Sequence, residues 1–293
     1  MSAPRIGTRG SALALAQAGW VAERVGGTLV QITTAGDLNR AVGDKSRWTG
    51  ALEGALALGE IDLAVHSAKD VPGDLGHGLE LVAAAARVDP ADVLVGAPSI
   101  DALPARARVG TSALRRRAQL LAVREDLEVV ELRGNVDTRL RKLAAGEVDA
   151  LVLARAGLER LGRLDEAGGV LAGEVFVPAA GQGVLALEAR AGDASAAGAA
   201  SAVQDGAAWA CLRAERALVV ALGADCHSAV GAHAVLDGDG GLTLTGWAGA
   251  GDGSRWVRDV LAGAADDPVA LGRAVAARML AAGAGELLRA AAA

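Results

Sequence analysis

An α/β fold closed by a small α+β segment is what the sequence predicts, and three observations predict it. Short apolar runs alternate with amphipathic helical stretches from Arg5 to about Ala189, the strand–helix–strand rhythm of sheets covered by helices. Apolar residues make up 52% of the 293, which excludes extended disorder and leaves room for two or three cores that need no staple. Beyond Val220 the rhythm changes. Two strand-like runs, 229–236 and 242–249, flank Asp237-Gly238-Asp239-Gly240-Gly241, a strong hairpin signal.

Each element has a local reason. Arg5–Thr8 reads as a strand that turns at Gly10 into a helix capped by Ser11, with Leu13, Ala16, Trp20 and Val21 expected on its buried face. A strand over 29–33 follows, then a polar, glycine-containing loop over 34–47 and a helix over 48–58. The apolar strand 61–65 runs into His66-Ser67-Ala68-Lys69-Asp70. A second set reads strand 92–95, helix 112–124, strand 127–132, helix 136–145 and strand 150–154, punctuated by Gly134-Asn135 and Gly146. Gly181-Gln182-Gly183 leads into a strand over 184–189, and 191–200 fits a linker or a weak helix. Helix 207–220, the hairpin, a third strand at 255–262 and a helix over 268–281 with Pro268 in its first turn complete the chain.

Charge and residue usage narrow the function. The formal charge is −6, yet residues 105–142 carry ten basic and five acidic side chains. That basic segment contains no aromatic residue, which favours a small polyanion over nucleic acid. Two cysteines cannot form a disulfide scaffold, and the histidines lack metal-ligand spacing, so no metal is expected. Gln17, Glu23 and Arg24 interrupt the apolar N-terminal run, which argues against a secretory signal and for a cytoplasmic protein. No apolar run is long enough to span a bilayer.

Candidate functional residues cluster where strands end. Lys69 and Asp70 follow an apolar strand and precede Val71-Pro72, a stiff turn at the edge where α/β sheets bind ligands, although a turn-stabilising ion pair has the same appearance. Gly110-Thr111-Ser112-Ala113-Leu114-Arg115-Arg116 places hydroxyls and then two cations at a helix start. Cations are disfavoured at that end, and a bound anion repairs the conflict; plain capping with solvated arginines is the alternative. Arg133-Gly134-Asn135 with Arg139, and Arg9 after the first strand, repeat the arrangement. Phosphate-loop, dinucleotide-binding and nucleophile-elbow motifs are missing, so a Ser67–His66–Asp70 hydrolase triad has little support. Cys211 falls in a helical apolar pattern and reads as a core thiol, whereas Cys226, after Gly223-Ala224-Asp225, sits in a loop as an inert thiol or an attachment point.

These strings together resemble the hydroxymethylbilane synthase (porphobilinogen deaminase) family. The resemblance is carried, in order, by Arg5 to Ser11 with Gln17, Ala64 to Pro72, Asp89-Pro90, Gly110 to Arg116, Leu132 to Asn135 with Thr138-Arg139-Leu140, Pro178 to Gly183, Ala214 to Ala217 and the Cys226 loop. It implies two lobes similar to those of periplasmic binding proteins, with the substrate cleft between them, and an α+β domain presenting a cofactor loop. The expected division is 1–86 with 182–201, then 87–181, then 202–293. It further implies a dipyrromethane cofactor held by a thioether at Cys226, and condensation of four porphobilinogens with loss of ammonia to give hydroxymethylbilane. Asp70 takes the catalytic carboxylate's place, with Lys69 and Arg9 beside it. Gln17, Ser67, Thr111, Ser112, Arg115, Arg116, Arg133, Arg139 and Gln182 join Lys69 and Asp70 as cofactor-binding residues. The implied protein is a monomer that hands its product to uroporphyrinogen-III synthase.

Some positions depart from the family pattern. The stretch 34–50 is shorter than the corresponding family loop, leaving Lys45 or Arg47 and Trp48 to serve as the charged and aromatic parts of a lid. A proline is missing after Cys226, and Ala91 stands where an arginine is common. A non-catalytic anion binder of the solute-binding type is the rival reading, but it accounts for neither a cofactor cysteine nor the missing export signal.

Overall fold

The computed structural model describes residues 3–33, 46–225 and 228–292, with side chains undescribed at 46–48 and 290–292. In chain order the elements are β1 (Arg5–Thr8), α1 (Ala12–Val25), β2 (Thr28–Gln31), α2 (Ser46–Ala57), β3 (Leu63–Ser67), a 3-10 turn (Ala68–Asp70) and β4 (Leu79–Ala84). Next come β5 (Asp92–Val95), β6 (Arg108–Gly110), α3 (Leu114–Val123), β7 (Glu128–Val130), α4 (Val136–Ala144), β8 (Ala150–Ala154), α5 (Arg155–Arg160) and β9 (Val170–Leu171). The chain finishes with β10 (Leu185–Arg190), α6 (Ala194–Ala200), α7 (Gly206–Ala221), β11 (Val230–Leu236), β12 (Gly241–Gly249), β13 (Trp256–Ala264), α8 (Pro268–Ala281) and α9 (Ala284–Ala292).

Two compact units result: residues 1–88 with 183–209, and residues 89–182 with 210–293. The first contains a five-stranded sheet in the order β2-β1-β3-β10-β4. Strands β1, β2 and β3 are parallel, while β10 returns antiparallel between β3 and β4. One face of this sheet packs Ile6, Leu63, Val65, Leu185 and Leu187 against Ala18 and Val21 of α1. The other packs Ala64 against Leu52 and Leu56 of α2.

The second unit contains a sheet in the order β7-β6-β8-β5-β9. Again three parallel strands come first and an antiparallel strand, β5, is inserted beside the third. The two lobes therefore share one topology, with β6, β7 and β8 answering to β1, β2 and β3, and β5 answering to β10. Beyond the lobe, β11-β12-β13 form an antiparallel sheet covered by α7 and α8. Trp247, fully buried, packs with Ala118 and Val177, and the buried Glu215 carboxylate accepts the N–H groups of Gly181 at 2.6 Å and Ala234 at 2.7 Å. These contacts join the small sheet to the lobe within one unit.

Several expectations need correction. Helix α1 buries Gln17, Ala18 and Val21, while Ala16 and Trp20 face outward and Arg24 stacks on the Trp20 ring at 3.8 Å. Its true stripe is offset by one residue because the Gln17 amide has a partner inside, Ser67. Helix α3 starts at Leu114 rather than Ser112 and has no side-chain cap, since the Thr111 hydroxyl is taken by the Ala113 N–H at 3.2 Å. Strands β4 and β6 were not expected from the sequence. The stretch 191–200 is partly helix, α6, capped by Asp193. Among the described residues no helix is long and apolar enough to cross a membrane, and no cluster of His, Cys, Asp and Glu is placed to hold a metal.

Candidate functional site

The candidate residues leave the sheets at corresponding edges. Arg9 follows β1, Ser67, Lys69 and Asp70 end β3, Thr111 to Arg116 follow β6, and Arg133 follows β7. All of these are carboxyl ends of parallel strands, where the ends of helices and strands leave backbone groups free for ligands. Gly183 lies at the same edge of the first sheet, because antiparallel β10 sets Leu185 opposite Ser67.

In the first unit the turn after β3 is held from several sides. The Ala68 N–H donates to the Val184 carbonyl at 3.0 Å, and the Val71 N–H closes the turn on Ala68 at 3.2 Å. Gln17 Nε2 donates to Ser67 Oγ at 2.9 Å, which fixes one predicted site residue on another. Lys69 and Asp70 are half-buried on this turn, and Arg9 is half-buried after the neighbouring strand. His66 is not part of a hydrolase triad. It points to the other side of β3 from Ser67 and meets Glu188 at 2.9 Å.

In the second unit Arg115 and Arg116 are 5% and 7% exposed, and Asp92 at the start of β5 lies between them. Arg115 Nη1 is 2.8 Å from Asp92 Oδ2, while Arg116 Nε and Nη2 donate to Oδ1 at 3.1 and 2.8 Å. Gln182 Nε2 adds a bond to the same Oδ1 at 2.9 Å and another to the Pro90 carbonyl at 2.6 Å. Arg115 Nη1 also donates to Gln119 and the Val177 carbonyl, and Arg116 Nη1 to the Val152 carbonyl. Burial alone raises the Asp92 pKa, but the two guanidinium groups outweigh it and hold the carboxyl well below the usual carboxylate range. The protein thus supplies part of the anion that cations at this helix start require. Two charges against one still leave an excess positive charge almost out of water.

The remaining arginines are more open. Arg139 Nη2 donates to Ser112 Oγ at 3.0 Å and its Nε to the Gly134 carbonyl at 2.8 Å, while Asn135 caps α4 through Thr138. Arg133 is exposed and pairs with Glu131 at 2.6 Å. Sequence reasoning missed Asp92, Glu188 and Glu215 as buried acids. The only advance signal was their type, since a carboxylate inside an apolar strand or helix is rare without a partner. Cys226 lies outside the described residues, as do the Lys45, Arg47 and Trp48 side chains proposed for the lid.

Comparison with known proteins identifies the family. Residues 5–198 match the family model of the porphobilinogen deaminase dipyrromethane cofactor-binding domain, and residues 209–281 match that of the porphobilinogen deaminase C-terminal domain. Porphobilinogen deaminase from Roseiflexus castenholzii is 46% identical over 297 residues, covering 97% of both chains. That from Deinococcus radiodurans is 43% identical over 305 residues, again with 97% of each chain covered. Among solved structures, a VFT2 domain of BvgS from Bordetella pertussis aligns with 69% of this chain and 86% of its own at 16% identity and a TM-score of 0.41. Full-length similarity to named deaminases leaves the non-catalytic solute-binding reading without support. The chain belongs to the porphobilinogen deaminase family.

Proposed function

We propose that the chain condenses porphobilinogen head to tail on a covalent dipyrromethane primer, adding four units with loss of ammonia and releasing hydroxymethylbilane by hydrolysis. The observation that carries this reading is the correspondence with porphobilinogen deaminases along 97% of the chain. The donor set suits such a group. Arg115 and Arg116 oppose the single carboxylate of Asp92, and an anionic ligand balances the charge that remains.

When bound, the dipyrromethane supplies a free pyrrole α-carbon as acceptor. Cys226 is its proposed thioether anchor. The flanks of that residue are tied by the Asp225 N–H donating to Ser228 Oγ at 3.0 Å and by Ser228 Oγ donating to Asp225 Oδ1 at 2.9 Å. Asp70 is the proposed catalytic carboxylate: it stabilises positive charge at the pyrrole N–H of the substrate losing ammonia and moves protons during coupling. Arg9 and Lys69 bind substrate carboxylates in the first unit, with Ser67 oriented by Gln17. Thr111, Ser112, Arg115, Arg116, Arg133 and Arg139 serve the acetates and propionates in the second, and Gln182 holds Asp92. The segment 202–293 acts as a third domain carrying the cofactor loop. The protein works as a cytoplasmic monomer, with uroporphyrinogen-III synthase receiving its product.

Intact mass after mild purification tests the anchor. A covalent dipyrromethane adds roughly 420 Da, from the atoms of two condensed pyrrole units held as an adduct, and the increment vanishes in Cys226→Ser. Ammonia release from porphobilinogen tests the reaction. A protein that carries no increment and releases no ammonia overturns the reading.

A further inference from the structure

Beneath the Lys69–Asp70 turn lies a buried polar pair that the reaction scheme above does not use. His66 Nε2 and Glu188 Oε2 are 2.9 Å apart, with side chains 5% and 0% exposed. A carboxylate without water needs a donor, so the imidazole presents Nε2–H to it. On the β3–β10 ladder His66 stands opposite Ala186 and Glu188 opposite Ala64, so the two side chains meet diagonally on one face. The opposite edge of β10 is irregular at the same point. Its register with β4 slips between Leu187 and Glu188, a bulge of the kind that re-aims a side chain.

This arrangement is electrostatically costly. Glu188 Oε1 is buried and has no hydrogen-bond partner among the described residues. Glu53 of α2 adds a second carboxyl nearby, its pKa raised first by burial and then by Glu188. Apolar side chains of similar volume fill a sheet–helix interface at lower cost. The cost falls at one place in the fold, one residue before Ser67 and four before Asp70.

We infer that the His66–Glu188 pair is a positioning device, fixing the end of β3 against the middle of β10 so that the Lys69–Asp70 turn keeps its reactive placement. This rests on the reaction proposed above. The pair is buried and acts through the turn, together with the Ala68 N–H bond to the Val184 carbonyl that straps the same two strands. Neither residue touches substrate. A displacement of about 1 Å at a reacting group is enough for a loss on the order of a hundredfold, so looseness at the strand end registers in turnover rather than in substrate binding.

The experiment compares His66→Ala and His66→Gln in the cofactor-loaded full-length protein, measuring mass increment, melting temperature, kcat and KM for porphobilinogen. Glutamine keeps an N–H donor for Glu188, and alanine removes it. His66→Ala should keep the increment and hold KM within about twofold while kcat falls at least about tenfold, and His66→Gln should recover most of kcat. If His66→Ala does not fold, His66→Asn, whose amide is too short to reach Glu188, replaces it in the same comparison. Wild-type kcat per loaded molecule in the alanine or asparagine variant overturns the inference, as does a rise in KM with unchanged kcat. Absence of ammonia release by the wild-type protein instead overturns the reaction on which it rests.

Discussion

Replacing Asp92 by asparagine removes one charge from a cluster of three and changes almost no volume. The side chains of Asp92, Arg115 and Arg116 are 3%, 5% and 8% exposed, so neither arginine can simply return its charge to water. Leaving buried charge uncompensated costs about 3–5 kcal/mol. At roughly 2–4 °C per kcal/mol for a chain of this size class, the melting temperature should fall by about 6–20 °C at pH 7. The pH dependence has a definite sign. The native Asp92 pKa lies below its unfolded value, so its contribution is fully present above the unfolded pKa of about 4 and is lost as pH falls through the native one. The gap between wild type and variant should therefore hold from pH 7 down to about 4 and narrow only in stronger acid. Thermal melts followed by circular dichroism across that range measure it. A variant within about 2 °C of wild type at pH 7 refutes the reasoning, because that shift is worth less than about 1 kcal/mol.

Other substitutions probe the remaining links. Asp70→Asn should leave folding and the cofactor increment intact while lowering turnover by at least about a hundredfold, read as ammonia release; near-normal turnover removes Asp70 from its proposed role. Glu53 has its pKa raised, so the folded state binds more protons and loses stability as pH rises through the unfolded pKa. Glu53→Gln should consequently melt higher than wild type at pH 8 and no higher at pH 4. Gly183 has φ +86°, and a Cβ there would collide with the Val88 carbonyl. Gly183→Ala should cost about 1–3 kcal/mol in a denaturant titration, with Gly19→Ala, where a Cβ meets nothing, as the control.

The sequence made some of this legible for plain physical reasons. Strand β8 and helix α8 lie within the expected residues, the first because five apolar residues sit between polar turns, the second because Asp267 caps it and Pro268 opens it. Strand β4 carries only a short signal, the alternation Leu79-Glu80-Leu81 before Val82 and two alanines, and its pairing with β10, more than a hundred residues away, completes it. The arginines at the start of α3 were recognisable as an electrostatic conflict, but their resolution was not, since Asp92 stands in a different strand. His66 and Glu188 are 122 positions apart, and nothing local to either marks the other. Local propensity and capping can be read along the chain, whereas buried polar partners are chosen by topology.

The placement of β10 has a consequence for how the protein comes to be made. The lobe within residues 89–182 draws all five of its strands from one continuous stretch, but the first lobe cannot fill the gap between β3 and β4 until the chain has reached residue 190. A growing polypeptide therefore completes its later lobe before its earlier one. Because β10 also brings Glu188 to His66, the turn bearing Asp70 acquires its final support only after the inserted lobe has been synthesised. The order of assembly is written into the strand order: the Lys69–Asp70 turn is completed last, when Asp92, Arg115 and Arg116 already stand in a finished sheet.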